Sequence, residues 1–297
     1  MKPLHETIAF PDHSFPYIMY THTRYSSMPE GRGFNDLHWH EELQITLAAR
    51  GSMVIQVNGT DYELRAGQAI LLNKAMLHIV TKLTEDGEYV SFNFPEKLLA
   101  FHSGSAMEER YVLPYTRSSF SAFVISGEEP WSREALDMLH AMKQIFDAEK
   151  SWGWEYEIAI RTVRLWLLLI ANLSIPREAM PKRERRQQER LQLMLSFIHR
   201  HYADSVTLQE IADAAHLSIS ECARSFKKTV RMTPYDYLIG YRIKKSTERL
   251  LETDDTITEI ARQVGFNHVN HFIQSFKKDK GCTPGEFRKR SHESKST

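Results

Sequence analysis

The residues best equipped for chemistry are histidines in the first third of the chain. His38 and His40 flank Trp39 just ahead of a strand-like run, and His78 follows later. Alternate side chains of a strand share a face. His38, His40, Glu42, Gln44 and Thr46 therefore point one way, while Leu43, Ile45 and Leu47 point the other. Imidazoles collected like this serve two chemistries. Three of them suit an ion of the zinc class, with Glu42 as a further ligand if the register shifts. With Gln44 and Arg24 they instead make a polar pocket for a sugar or small carboxylate, beside the aromatic rings of Tyr20 and Trp39. Taken singly, each is also an ordinary structural hydrogen-bonding residue. Covalent catalysis is poorly provided for: Ser103, Ser105, Ser118 and Ser119 have no activating neighbour readable in the sequence. No phosphate loop, dinucleotide glycine fingerprint or paired-cysteine motif accompanies them. The chain is expected not to be an enzyme and to need no cofactor.

A second set of residues is built for polyanions. Lys227-Lys228 follows Phe226, and Lys277-Lys278 follows Phe276, fifty residues further on. The overall formal charge of zero hides a split. Residues 182–297 carry 22 basic and 15 acidic side chains, a net of +7, and the remainder of the chain is correspondingly −7. Such asymmetry suits a protein of which one half meets nucleic acid.

The elements that must position these groups change character along the chain. Short strand-like runs cover roughly the first ninety-five residues. Met53–Val57 and Thr60–Leu64 flank Asn58-Gly59, whose two residues suit the left-handed positions of a tight hairpin turn. Gln68–Leu72, Met76–Thr81 and Tyr89–Phe94 continue the pattern of a barrel or sandwich. Helical spacing begins near Ser132. A second helix is expected over Glu155–Leu173, with more apolar surface than one face needs, so it is assigned to a homodimer interface. No apolar run is long enough to span a bilayer and no signal-peptide core is present. Cys222 and Cys282 are too few for a disulfide framework, so a soluble cytoplasmic protein is expected.

The strongest signal is an internal repeat. Ile211-Ala212 matches Ile260-Ala261 at an offset of 49, and Leu217 matches Phe266. The Phe-Lys-Lys triplets, Thr233-Pro234 against Thr283-Pro284, and Tyr237 against Phe287 match at 50, so the second copy has one extra residue at its turn. Each copy reads as a helix, a short turn and a second helix begun by a capping residue. Cys222 and Phe226, or Phe272 and Phe276, face inward and polar residues face outward. Capping boxes are expected at Thr207/Glu210, Ser218/Glu221 and Thr256/Glu259.

Residues 191–290 resemble the C-terminal DNA-binding domain of AraC/XylS-type transcriptional regulators. The residues that carry the likeness are Ile260 to Phe266, Phe272 to Lys278, and Gly281 to Arg288. The resemblance implies two helix-turn-helix units joined by a helix over about Thr233–Glu252, with both recognition helices in adjacent major grooves. It makes Ser220, Ala223 and Arg224 of the first unit, and Val269, Asn270, His271 and Gln274 of the second, the base-facing positions. Arg224 can fork onto guanine, Asn270 and Gln274 can pair with adenine, and Ala223 and Val269 can touch a thymine methyl. Lys227, Lys228, Lys277 and Lys278 are assigned to phosphates. One residue departs from the pattern: Arg231 stands where the second copy has Gly281, and a left-handed backbone there would be strained.

The N-terminal half is similar, more loosely, to the cupin barrel that AraC-like proteins place ahead of that domain as a sensor. His38, His40, Gln44 and Gly51 follow the first cupin motif, and Gly67, Asn73, Ala75 and His78 the second. Gln44 stands where metal-binding cupins place Glu, so the pocket is expected to bind no metal. The expected architecture is α+β and multidomain. It comprises a cupin-like β-barrel with dimerisation helices (1–175), a linker (176–190), an all-α pair of helix-turn-helix units (191–290) and a tail (291–297). The expected function is a DNA-binding transcriptional regulator controlled by a small-molecule effector, perhaps a carbohydrate, acting as a homodimer on double-stranded DNA. RNA polymerase is a further partner, and no membrane is involved. The alternatives are a cupin metalloenzyme with a DNA-binding appendage and a dimeric regulator without an effector.

Overall fold

The structure, a computed structural model of the 297-residue chain, describes residues 5–12, 14–173 and 181–295. The chain divides into two compact units, Lys2–Arg185 and Arg186–Thr297.

The first unit contains two antiparallel sheets. One has the order β2 (Ser27–Met28), β1 (Ile18–His22), β8 (Glu88–Phe94), β3 (Leu43–Arg50), β6 (Ala69–Leu72) and β9 (Ala122–Ile125). The other has β5 (Thr60–Arg65), β4 (Ser52–Val57) and β7 (His78–Leu83). The hairpin between β4 and β5 turns through Asn58 at φ 47° and Gly59 at φ 83°, the left-handed pair its sequence requires. β9 lies beyond the expected barrel and pairs with β6.

Strand alternation sorts the side chains. Leu43, Ile45 and Leu47 of β3 and Phe92 and Phe94 of β8 face an apolar layer completed by the helices α3 (Pro130–Asp147) and α4 (Trp154–Asn172). Ile55, Leu64, Ile70 and Val80 form a second apolar cluster that draws on both sheets. Gln44 and Thr46 of β3, and Ser91 and Asn93 of β8, are buried polar residues. The Thr46 and Ser91 hydroxyls lie 3.5 Å apart. Two single-turn helices, α1 (Lys97–Ala100) and α2 (Leu113–Thr116), precede β9.

The second unit is helical: α5 (Lys182–His201), α6 (Leu208–Ala214), α7 (Ile219–Val230), α8 (Pro234–Glu252), α9 (Ile257–Gln263), α10 (Val269–Lys280) and α11 (Pro284–Lys295). α8 packs against α6, α7, α9, α10 and α11 and so joins the two halves of the repeat. All three expected capping boxes form. Positions 182–190, expected as linker, are the start of α5, because a charged stretch of Arg, Glu and Gln has good helix propensity. Positions 291–295, expected as tail, continue α11, while linker positions 176–180 and the last two residues lie outside the described residues. Among the described residues no helix is long and apolar enough to cross a membrane.

Candidate nucleic-acid interface and effector pocket

α7 and α10 are the outer helices of the two repeats. The inward faces are closed: Cys222, Phe226, Phe272 and Phe276 are fully buried. Each buried Phe contributes about 1.5–3 kcal/mol, which fixes the rotation of its helix about its own axis. The opposite faces are then dictated. Ser220, Arg224, Asn270, His271 and Gln274 are exposed, as are Lys227, Lys228, Lys277 and Lys278, whereas Ala223 and Val269 are half-buried. Arg224 Nε donates to the Ser220 carbonyl at 3.3 Å, one turn back on its own helix. His271 packs edge-on to Phe266, with ring centroids 5.3 Å apart.

The two copies start and stop their outer helices differently. α7 is capped by Ser218, whose hydroxyl oxygen accepts the Glu221 N–H at 3.3 Å, while the Glu221 carboxylate accepts the Ser218 N–H at 3.2 Å. The Ser218 hydroxyl also holds the Glu221 carboxyl below its ordinary range. α10 begins at His268, which makes no capping bond, because an imidazole lacks the short oxygen acceptor that the first turn needs. At the other end the copies agree. Arg231 adopts φ 65° and ψ 8°, against φ 73° and ψ −2° at Gly281, and each N–H closes its helix, onto Lys227 O at 3.1 Å and Lys277 O at 2.9 Å. The left-handed turn survives the Gly-to-Arg difference.

The turns inside the repeats also correspond. His216 at φ 53° and Gly265 at φ 90° occupy the same position, and Asn267 is the extra residue of the second copy. A Cβ on Gly265 would sit 2.6 Å from the Tyr202 carbonyl oxygen, so this position admits only glycine. The buried Arg242 donates to Tyr202 O at 2.7 Å and Asp204 O at 2.8 Å, tying α8 to the end of α5.

In the first unit His38 and His78 are joined by reciprocal backbone hydrogen bonds of 3.1 and 2.9 Å, which brings their rings within 4.2 Å. His40 lies 5.2 Å from His78, and one ring nitrogen from each of the three falls within 4.8 Å of the others. Each ring is oriented by one donated bond. His38 Nδ1–H donates to Asp36 O at 2.7 Å, His78 Nδ1–H to Met76 O at 2.8 Å, and His40 Nε2–H to Gln44 Oε1 at 2.9 Å. Gln44 in turn donates from Nε2 to Thr46 Oγ1 at 2.8 Å, which fixes its carbonyl toward His40. Burial keeps the imidazoles neutral: it holds His40 at about 4, His78 at about 3 and His38 well below its ordinary value. Nearby histidine charge adds to the depression at His38 and His78.

Four of the five expected pocket residues are thus together: His38, His40, Gln44 and His78. Arg24 is not among them. It lies in the turn after β1, exposed, with its guanidinium given to the Leu83 carbonyl and the face of Phe34. Trp39 also turns away, as alternation demands of the residue between two inward histidines, and its ring lies 4.2 Å from that of His5. Tyr20 does line the space. Sequence reasoning missed Glu6, Arg32 and His22, which complete the lining. Nothing local marks Glu6; it reaches the site because residues 5 and 6 run beside Trp39, with the Glu6 N–H bonded to Trp39 O at 2.9 Å.

Comparison with known proteins matches residues 20–116 to the AraC-like ligand binding domain and residues 211–290 to a helix-turn-helix domain. An uncharacterized HTH-type transcriptional regulator, YdeC of Bacillus subtilis, is 32% identical over 262 residues, covering 86% of this chain and 87% of its own. This chain belongs to the AraC family of helix-turn-helix transcriptional regulators. The Melibiose operon regulatory protein of Escherichia coli is 23% identical over 274 residues, covering 88% of this chain and 85% of its own. The C-terminal domain of the response regulator yesN of Fusobacterium nucleatum is 37% identical, with a TM-score of 0.31, covering 32% of this chain and 94% of its own. This AraC-family member therefore pairs a ligand-binding β domain with a DNA-binding helical one.

Proposed function

We propose that this regulator reads DNA with Ser220, Ala223 and Arg224 of α7 and with Val269, Asn270, His271 and Gln274 of α10. In the same reading Lys227, Lys228, Lys277 and Lys278 hold phosphates. The observation that carries this is the rotation of the two outer helices: their apolar residues are wholly buried, and every charged or amide-bearing residue in the set is exposed. A small molecule in the β domain biases DNA binding through its different affinity for the arrangements the DNA-binding units adopt. The melibiose-named relative supports a carbohydrate as that effector.

The same reading has the chain act as a cytoplasmic homodimer that meets RNA polymerase at the promoter. Support for dimerisation is the stripe of Tyr156, Ile160, Val163 and Leu167 along α4, where Ile160 is 60% and Leu167 52% exposed. Selection of binding sites from random DNA with the full chain, followed by titration at several salt concentrations, tests the interface. Arg224→Ala is expected to cost about 1–3 kcal/mol and relax one base position. Lys277→Ala is expected to weaken all sites alike and to lower the salt slope by about one. Unchanged specificity in the first variant removes Arg224 from the reading set.

A further inference from the structure

We propose that His38, His40 and His78 form a binding site for a divalent transition-metal ion of the zinc class, with the Glu6 carboxylate as an oxygen donor. The reasoning starts from a count of donors and acceptors. Each imidazole spends its single N–H on a protein acceptor: His38 on Asp36 O, His78 on Met76 O, and His40 on Gln44 Oε1. Backbone carbonyls only accept, so the Nδ1 atoms of His38 and His78 must carry the protons. The remaining nitrogens, His38 Nε2, His40 Nδ1 and His78 Nε2, present bare lone pairs. His40 Nδ1 and His78 Nε2 are buried with no hydrogen-bond partner.

Two carboxylates approach the same nitrogens. Glu6 Oε2 lies 3.5 Å from His38 Nε2, and Glu42 Oε2 lies 3.6 Å from His40 Nδ1. Five acceptors thus converge on one place, and a neutral water has two protons to offer them. A dication satisfies all of them. Three neutral imidazoles with flanking carboxylates are a zinc-class donor set, and each ring held by an outer hydrogen bond is the usual support for such ligands. Arg32, the cation lining the space, has its charge opposed by Asp36 at 3.4 Å.

Size discriminates between occupants. The enclosed space has room for one water-sized body, about 20 Å³. Pockets that bury organic ligands measure about 300–1,000 Å³. An ion fits as the walls stand, whereas a sugar would have to move them. Ligands of a tetrahedral zinc ion stand roughly 3.4 Å apart, given bonds of about 2.05 Å. The three nitrogens, within 4.8 Å now, need close by little more than about an ångström. Gln44, read from sequence as a failed metal ligand, instead takes the place of an orienting residue behind His40. The earlier expectation of a metal-free pocket is revised accordingly.

The test uses the full chain stripped with a chelator and titrated with Co²⁺, whose visible absorption reports low-symmetry nitrogen coordination. One equivalent per chain is expected, with the bands abolished by Zn²⁺. His78→Gln should weaken binding by more than the ~10–100-fold that loss of an outer partner costs, and Gln44→Ala by about that amount. Glu6→Gln alters a ligand outside the sheets and should also weaken binding. The exposed His102, changed to Gln, should leave it unaffected. Tryptophan-fluorescence melts of the metal-free variants show which remain folded. A cobalt spectrum no different from the aqueous ion, or equal affinity in wild type and the folded His78→Gln and Glu6→Gln variants, overturns the proposal. The readout is metal binding alone, so its failure is separate from any failure to bind DNA.

Discussion

Arg231→Gly is expected to stabilise the DNA-binding unit. Arg231 occupies a left-handed conformation, φ 65° and ψ 8°, and its exposed side chain closes α7 as Gly281 closes α10. A non-glycine residue there costs about 1–2 kcal/mol, because Cβ crowds the following carbonyl oxygen. Glycine relieves this but makes the unfolded chain more flexible, which offsets about 0.4–1 kcal/mol. The net gain is therefore about 0.8 kcal/mol, or roughly 4 °C in Tm for a domain near a hundred residues. All five tryptophans lie between Trp39 and Trp166, in the first unit, so fluorescence and helical ellipticity report different parts of the chain. The ellipticity transition should rise while the fluorescence transition stays put. The reciprocal change, Gly281→Ala, meets open space at Cβ but keeps the unfavourable φ, and should lower the same transition by a similar amount. An unchanged or lowered ellipticity transition in Arg231→Gly refutes the reasoning, since the left-handed arginine would then carry no strain.

Gly265→Ala should cost about 2 kcal/mol or more, because its Cβ must displace the Tyr202 carbonyl that Arg242 holds; a loss below about 1 kcal/mol in urea unfolding followed by ellipticity counts against this. Acid should destabilise the β domain through His22, whose burial beside Tyr89 lowers its pKa to about 4. The unfolded chain then binds more protons than the folded one between about pH 6.5 and 4. His22 thus contributes fully above 6.5 and loses about 3 kcal/mol by pH 4. The urea midpoint by tryptophan fluorescence should fall across that window, and fall less steeply in His22→Gln. Equal slopes in the two proteins remove His22 from the explanation.

The helical unit was legible because its signals are local. A hydroxyl three residues before a glutamate, an Asn-Gly pair, or a Phe at each turn acts within one or two helical turns, and all three capping boxes and the tight hairpin formed as written. Repetition made the reading safer, since the second copy checked the first. The pocket was harder. His38, His40 and Gln44 share a face by strand alternation, and that part held. Arg24 did not follow, because a turn at the end of β1 sends it to Leu83 and Phe34.

The sequence on its own determined which helix faces are buried, where the helices begin, and that the two copies are one design, since each follows from propensity and period over a few residues. Only the tertiary structure decided that Glu6 meets His38, that Gln44 orients His40, and that the space among the histidines is ion-sized. Those facts depend on pairings between distant segments and on a closed volume, and neither leaves a periodic trace along the chain.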